Sequence, residues 1–140
     1  MDESVLPERS TMFPSLSMIA LVAAGGAAGS VLRYTAGFVL SNIFGTAWPY
    51  GTIAANLCGS FLIGFIGAGL AFRCPDPRLA AFLIAGFLGG FTTFSSFVNE
   101  TLQLYLSGQW LSASLYMTLQ TGSGVGAAAL GLTAARCLLA

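Results

Sequence analysis

Charged residues are scarce in this sequence, and histidine and lysine are absent. Only 7% of the 140 residues are charged and 56% are hydrophobic, whereas a soluble domain carries roughly 25% charged residues. This deficit predicts an all-α integral membrane protein, and the zero net charge argues against nucleic acid as a partner. Without histidine, His-ligated metal sites and Ser-His or Cys-His catalysis are excluded, so the chain is not expected to be an enzyme.

A disulfide framework and a cleavable signal peptide are missing as well. Cys58, Cys74 and Cys137 are scattered and odd in number, which indicates small apolar fillers. Residues 1–15 are predicted to be a polar N-terminal tail, and this tail has no basic n-region of the kind found in signal peptides. Residues 16–140 are expected to form a single four-helix transmembrane domain.

Long apolar runs are what the sequence has in abundance. About 20 apolar residues cross ~30 Å of hydrocarbon, and four segments of the chain reach that length. They predict a multi-pass protein of the plasma membrane (the bacterial inner membrane), with lipid around it. Glycines recur in these segments, for example Gly64, Gly126 and Gly131, and predict close helix packing. The predicted spans are residues 16–41, 52–72, 79–106 and 111–139.

The third span contains a polar interruption. The stretch from Gly89 and Gly90 to Thr92 and Thr93 lies roughly 15–21 Å into the span on helical rise, which is the bilayer midplane. Hydrocarbon offers backbone groups no partner, so a break there must be buried in protein or face a cavity. Freed carbonyls at such breaks can hold a cation. The alternative is a softened kink that binds no ligand.

Two charged residues, Arg33 and Glu100, lie well inside apolar segments. Charges at that depth are costly, and they usually pair or mark a pathway. The first and third spans run parallel, which places both residues near the same outer end. A salt bridge or a shared charged vestibule is one interpretation, and independent snorkelling to the interface is the other.

Phe94 and Phe97 follow the interruption directly and share one helix face, because they are three residues apart. Aromatic rings are positive at their edges, so two such edges can weakly solvate a small anion. Asn56 lies deep enough in the second span to need a partner, and it offers two amide hydrogens. The alternatives are ordinary core or lipid-facing rings and an interhelical hydrogen bond from the amide.

The fourth span carries a polar stripe on a glycine-rich helix. Tyr116 and Gln120 are four residues apart, and Ser123 follows on roughly the same face, with Thr118 and Thr121 beside them. Such a stripe either lines a polar pathway or forms hydrogen bonds between helices.

Three motifs follow one another along the chain. They read GGAAGSVLRY at residues 25–34, WPYGTIAANLCGS at residues 48–60 and GFLGGFTTFSSF at residues 86–97. Together they resemble the Fluc (CrcB) family of fluoride channels, and the resemblance covers nearly the whole chain beyond the tail. It implies a fluoride-selective channel that exports fluoride passively across the membrane and so relieves fluoride toxicity.

The resemblance also implies an assembly and a set of site residues. The assembly is an antiparallel dual-topology homodimer with two fluoride pores and the third helix broken at the midplane. A structural Na⁺ at the dimer centre would be bound by the backbone carbonyls of Gly89 and Thr92. The resemblance places Asn56, Phe94, Phe97 and Tyr116 on the fluoride pathway, and the polar stripe adds Gln120, Thr121 and Ser123. Arg33 and Glu100, the predicted charged vestibule, match the family's charged positions.

The fourth span departs from the family pattern, which usually has a Ser/Thr track after the tyrosine. Here Gln120 and Gly124 occupy the four-residue spacing, and the hydroxyls lie at Thr121 and Ser123. The sequence therefore does not determine which residues of the fourth span form the polar track.

Three alternatives stay open. Arginines concentrate on the side of the termini, and a strict bias would favour two oppositely oriented partner chains over a homodimer. A small proton-coupled multidrug exporter would need a carboxylate embedded in the membrane, and the first span has none. A non-transporting accessory subunit would use its glycines for packing alone.

Overall fold

The computed structural model describes residues 13–73 and 75–139. Most of the predicted N-terminal tail, together with Cys74, therefore lies outside the described residues. The elements are helical, and four helical segments are long and apolar enough to cross a membrane. The predicted all-α membrane class is thus confirmed. The segments are Leu16–Phe44, Tyr50–Phe72, Pro77–Leu106 and Trp110–Leu139.

Helix α1 (Leu16–Phe44) extends three residues beyond the predicted span end at residue 41. Ser15 is its N-cap, and the Ser15 side chain accepts a hydrogen bond from the Met18 amide. The helix ends at Gly45, where φ is +82°; this conformation is readily adopted only by glycine. Helix α2 (Tyr50–Phe72) begins two residues before the predicted start at residue 52.

The segment Pro77–Leu106 is not one regular helix. Helix α3 (Pro77–Ala80) continues into a π-helix (Ala81–Leu88) and then into the short α4 (Gly89–Phe91). Thr92 (φ −82°, ψ 161°) and Thr93 (φ −151°, ψ 122°) have extended backbone. Helix α5 then covers Phe94–Leu106, and α6 covers Trp110–Leu139.

Glycines allow α1 to pack directly on the first half of this third segment. A Cβ at Gly25 would meet the carbonyl of Phe82, and a Cβ at Gly29 would meet that of Phe87. From the other side, a Cβ at Gly90 would lie 2.5 Å from the carbonyl oxygen of Gly26. The backbones therefore touch, which is the packing that small residues permit in lipid.

Helices α2 and α6 form the second close pair. A Cβ at Gly64 would collide with the backbone of α6 at Ala128, and a Cβ at Gly131 with that of α2 at Phe61. A Cβ at Gly126 would meet nothing within 4 Å. The predicted packing role therefore holds for Gly64 and Gly131 but not for Gly126.

Candidate functional site

A groove of about 430 Å³ runs along the extended residues Thr92 and Thr93, between α2, α5 and α6. It collects many residues that are far apart in the sequence. Those predicted from sequence are Asn56, Gly89, Thr92, Phe94, Phe97, Gln120 and Thr121. The remaining lining residues are Gly59, Ser60, Ile63, Ile84, Leu88 and Thr93.

Asn56 fixes the extended backbone against α2. Its Nδ2 donates to the Thr93 carbonyl at 2.9 Å, and its Oδ1 accepts from the Thr93 amide at 2.8 Å. The side chain thus supplies both hydrogen bonds that a neighbouring strand would give. A primary amide has two N–H donors, so one N–H of Asn56 is still available to a ligand in the groove.

The Asn56 clamp and the Thr93 hydroxyl together change the hydrogen bonding of two backbone carbonyls. In a continuous helix the carbonyl of residue i accepts from the amide of residue i+4. The Thr93 amide instead donates to Asn56, and the Ser96 amide donates to the Thr93 hydroxyl at 3.2 Å. The carbonyl oxygens of Gly89 and Thr92 therefore lose their helical donors. Hard oxygen ligands of this kind suit a cation such as Na⁺.

The neighbouring Gly90 carbonyl is occupied. It accepts from Arg33 Nε at 3.1 Å and from the Ser30 hydroxyl at 3.5 Å, both from α1. The Arg33 guanidinium therefore lies at the C-terminal end of α4, where the helix dipole favours positive charge. Arg33 bonds to the interrupted backbone, while Glu100 has separate partners on α2 and α6.

Glu100 accepts two hydrogen bonds from hydroxyl groups. Its Oε1 accepts from Thr52 Oγ1 at 2.7 Å, and its Oε2 accepts from the Tyr116 hydroxyl at 2.7 Å. The backbone carbonyl of Thr52 also accepts from Gln120 Nε2 at 3.4 Å. Thr52 thereby links the carboxylate to the one amide that α6 contributes to the groove. Sequence reasoning missed Thr52, although it lies four residues before Asn56 on the same face of α2.

Aromatic rings lead from the open side of the groove towards this carboxylate. The ring centroids of Phe94 and Phe97 are 5.8 Å apart, and those of Phe97 and Tyr116 are 5.2 Å apart in an edge-on arrangement. Trp48 packs edge-on against Tyr116 at 6.3 Å. Phe94 is 76% exposed, whereas Phe97 is only 9% exposed. The row therefore begins at an uncovered ring and ends in the interior.

The two remaining predicted residues of α6, Thr121 and Ser123, differ in their position relative to the groove. Thr121 lines the groove. Ser123 is exposed, and its hydroxyl donates to the carbonyl of Leu119 on its own helix. The structure thus brings Thr121 to the groove and leaves Ser123 outside it.

The electrostatics of the groove favour an anion at one point. Helix α5 begins at Phe94 and is capped by Thr93, so its first amides and the positive end of its dipole lie at the groove. The residues that line the groove thus supply amide hydrogens, hydroxyls, aromatic rings and two freed carbonyls. Such a set can solvate ions without covalent chemistry.

Known proteins match this chain over most of its length. The family model described as CrcB-like protein, Camphor Resistance (CrcB), matches residues 20–132. A protein named Fluoride-specific ion channel FluC from Leptospira interrogans is 44% identical over 114 residues, covering 80% of this chain and 89% of that protein. Proteins of the same name from Allorhizobium ampelinum (45% identical over 118 residues, 84% of this chain and 94% of that protein) and Rhizobium meliloti (40% over 125 residues, 89% and 100%) are similar as well. The chain belongs to the CrcB family.

Proposed function

We propose that this chain is a fluoride-selective ion channel of the plasma membrane, which lets fluoride leave the cell passively and so relieves its toxicity. The observation that carries this is the groove, whose polar and aromatic groups face one another beside the extended residues. The relatives are named as fluoride-specific ion channels. Those names agree with a protein that is not an enzyme, and they support neither a multidrug exporter nor an accessory subunit.

Fluoride is small and strongly hydrated, so a pore must replace its water with donors and still let the ion leave. The free N–H of Asn56, the Thr121 hydroxyl and the edges of Phe94 and Phe97 are such donors. None carries a full positive charge. The sequence has no lysine that could trap the anion on this path.

A second, oppositely oriented copy would complete the site. Phe94 is 76% exposed and Gly89 is also exposed in the single chain, although both line the groove. In an antiparallel homodimer the two-fold axis lies in the membrane plane, and only features near mid-depth meet their own copies there. Thr92 lies near the middle of Pro77–Leu106, which fits a break in the third helix at the midplane.

A structural Na⁺ at this axis would join the two copies. The carbonyls of Gly89 and Thr92 from each chain would give it oxygen ligands, since both have lost their helical donors. The expected consequence is a dimer whose melting temperature, followed by size-exclusion chromatography, falls when Na⁺ is replaced by N-methyl-D-glucamine. An unchanged melting temperature would remove the ion from the proposal and leave the channel function standing.

The function itself is tested with the purified chain alone in liposomes. A fluoride electrode follows efflux from fluoride-loaded vesicles, and a chloride electrode follows chloride-loaded vesicles of the same lipid composition. We expect rapid fluoride efflux without chloride efflux. Vesicles that hold correctly folded protein and retain their fluoride would contradict the proposal.

A further inference from the structure

The wall of the groove that belongs to α2 carries a second polar residue. Ser60 lies four residues after Asn56, so the two share a face and are separated by about 6 Å along the helix axis. Both line the groove, and Ser60 is half-buried there. The groove thus has two polar side chains in line on α2, one helical turn apart.

The Ser60 hydroxyl has no partner among the residues that the structure describes. Hydroxyls in membrane helices commonly donate to a carbonyl one turn earlier, as Thr101 does to Phe97 and Thr118 to Ser114. Across residues 13–73 and 75–139, Ser60 Oγ makes no hydrogen bond. A hydroxyl at membrane depth without an internal partner needs water or a ligand.

The facing helix leaves room for this hydroxyl. Gly124 of α6 has no side chain, and a Cβ built there would lie 3.5 Å from Ser60 Oγ. The hydroxyl therefore occupies the space beside α6 that a side chain at position 124 would enter. A donor at this point of the groove comes from α2, because α6 offers only backbone.

We propose that the Ser60 hydroxyl donates a hydrogen bond to fluoride in the groove, one helical turn from Asn56. This inference rests on the proposed function and adds a pathway residue to it. The ion would move along α2 from the Asn56 amide to the Ser60 hydroxyl, with Thr121 on the facing helix.

The test compares efflux rates of full-length variants in liposomes. Ser60→Ala removes the donor and is expected to slow fluoride efflux by at least about tenfold. The reason is that losing a hydrogen bond to an ion lowers the equilibrium constant for binding that ion by roughly tenfold or more. Ser60→Thr keeps the hydroxyl and is expected to conduct. If Ser60→Ala does not give a monodisperse protein, Ser60→Cys removes the strong donor at nearly the same size.

A rescue variant separates donation from packing. Ser60→Ala with Gly124→Ser returns a hydroxyl to nearly the same point from the other helix, and its Cβ meets no closer atom than the one that was removed. We expect it to recover most of the lost rate. The matched control is Ser60→Ala with Gly126→Ser, which adds a hydroxyl where nothing lies within 4 Å and is expected to stay slow.

The variants distinguish hydrogen-bond donation by Ser60 from a packing role. If Ser60→Ala conducts at the wild-type rate, the assignment of Ser60 is wrong, and the channel function is untouched. If Ser60→Ala is slow and neither Ser60→Thr nor the Gly124→Ser rescue conducts, Ser60 acts through packing and the proposal is overturned. If the wild-type protein passes no fluoride, both the function and this inference fail together.

Discussion

At Asn56 one side chain makes both hydrogen bonds of a backbone unit, to the amide and to the carbonyl of Thr93. This arrangement ties the shape of the groove to a single residue of α2. The Gly89 carbonyl loses its helical donor as a result, and one amide N–H of Asn56 stays free for an ion. The position therefore combines a structural and a functional task, and a substitution there should affect both.

Replacing Asn56 with Ala should lower both stability and fluoride efflux. Two backbone groups of Thr93 would lose their partner, and each such loss costs about 1–3 kcal/mol. Thermal unfolding of the purified protein and liposome efflux measure the two effects. The control is Asn42→Ala, since Asn42 is exposed and donates only to Phe38 of its own helix. Equal melting temperatures for Asn56→Ala and Asn42→Ala would contradict the clamp.

Phe94 and Phe97 can be tested with leucine, which keeps apolar volume but removes the ring edge. Aromatic pairs are worth about 0.5–1.5 kcal/mol beyond their burial, and we expect a comparable loss for each ring edge that contacts the ion. The double variant Phe94→Leu with Phe97→Leu is therefore expected to conduct fluoride roughly tenfold more slowly. The control is Phe38→Leu on α1, an exposed ring outside the groove. Wild-type efflux and wild-type selectivity over chloride in the double variant would show that the rings do not solvate the ion.

Much of the candidate site could be anticipated from the sequence, because polar residues in apolar helices are conspicuous. The pairing of those residues could not. Glu100 accepts from Tyr116 and Thr52 only because α5, α6 and α2 meet at that height, and spacing within one helix carries no information about this. Ser60 was overlooked for a different reason, since serine beside glycine is the usual pattern of close packing.

At the scale of elements, helix number and class followed from apolar length, whereas local helix geometry did not. The stretch Ala81–Leu88 is a π-helix, yet its residues form an apolar run that fits an ordinary helix equally well. The glycine content also did not distinguish glycines in close helix contacts from glycines that face open space. Gly131 is needed because α2 lies against it, while Gly126 faces open space on the same helix.

This difference gives a matched pair of substitutions. Gly131→Ala would push a methyl group into the backbone of Phe61 and Phe65, and overpacking of this kind costs about 1–3 kcal/mol. Gly126→Ala meets nothing within 4 Å and should be neutral or stabilising by up to about 1 kcal/mol through helix propensity. Thermal unfolding in detergent distinguishes the two. A Gly131→Ala protein as stable as Gly126→Ala would show that α2 and α6 are not in backbone contact.

At the scale of the whole molecule, the open side of the groove is the feature that a single chain leaves unexplained. An exposed Phe94 and an exposed Gly89 lie beside freed carbonyls, and the proposed second copy of opposite orientation is expected to cover them. An antiparallel pair made from one gene product requires that each chain insert both ways. The sequence holds only five arginines and no lysine, so the charge that would fix one orientation is small.

Orientation can be measured with single cysteines at the two ends of the bundle. In a background without native cysteines, Ser107→Cys lies in the turn between α5 and α6, and Asp76→Cys lies in the turn before α3. A membrane-impermeant maleimide applied to intact cells should label about half of each variant, because a dual-topology homodimer presents each turn on both sides. Permeabilised cells, in which all copies react, serve as the control. Complete labelling of one variant and none of the other would mean a single orientation, and the groove would then have to be completed by a different, oppositely inserted chain.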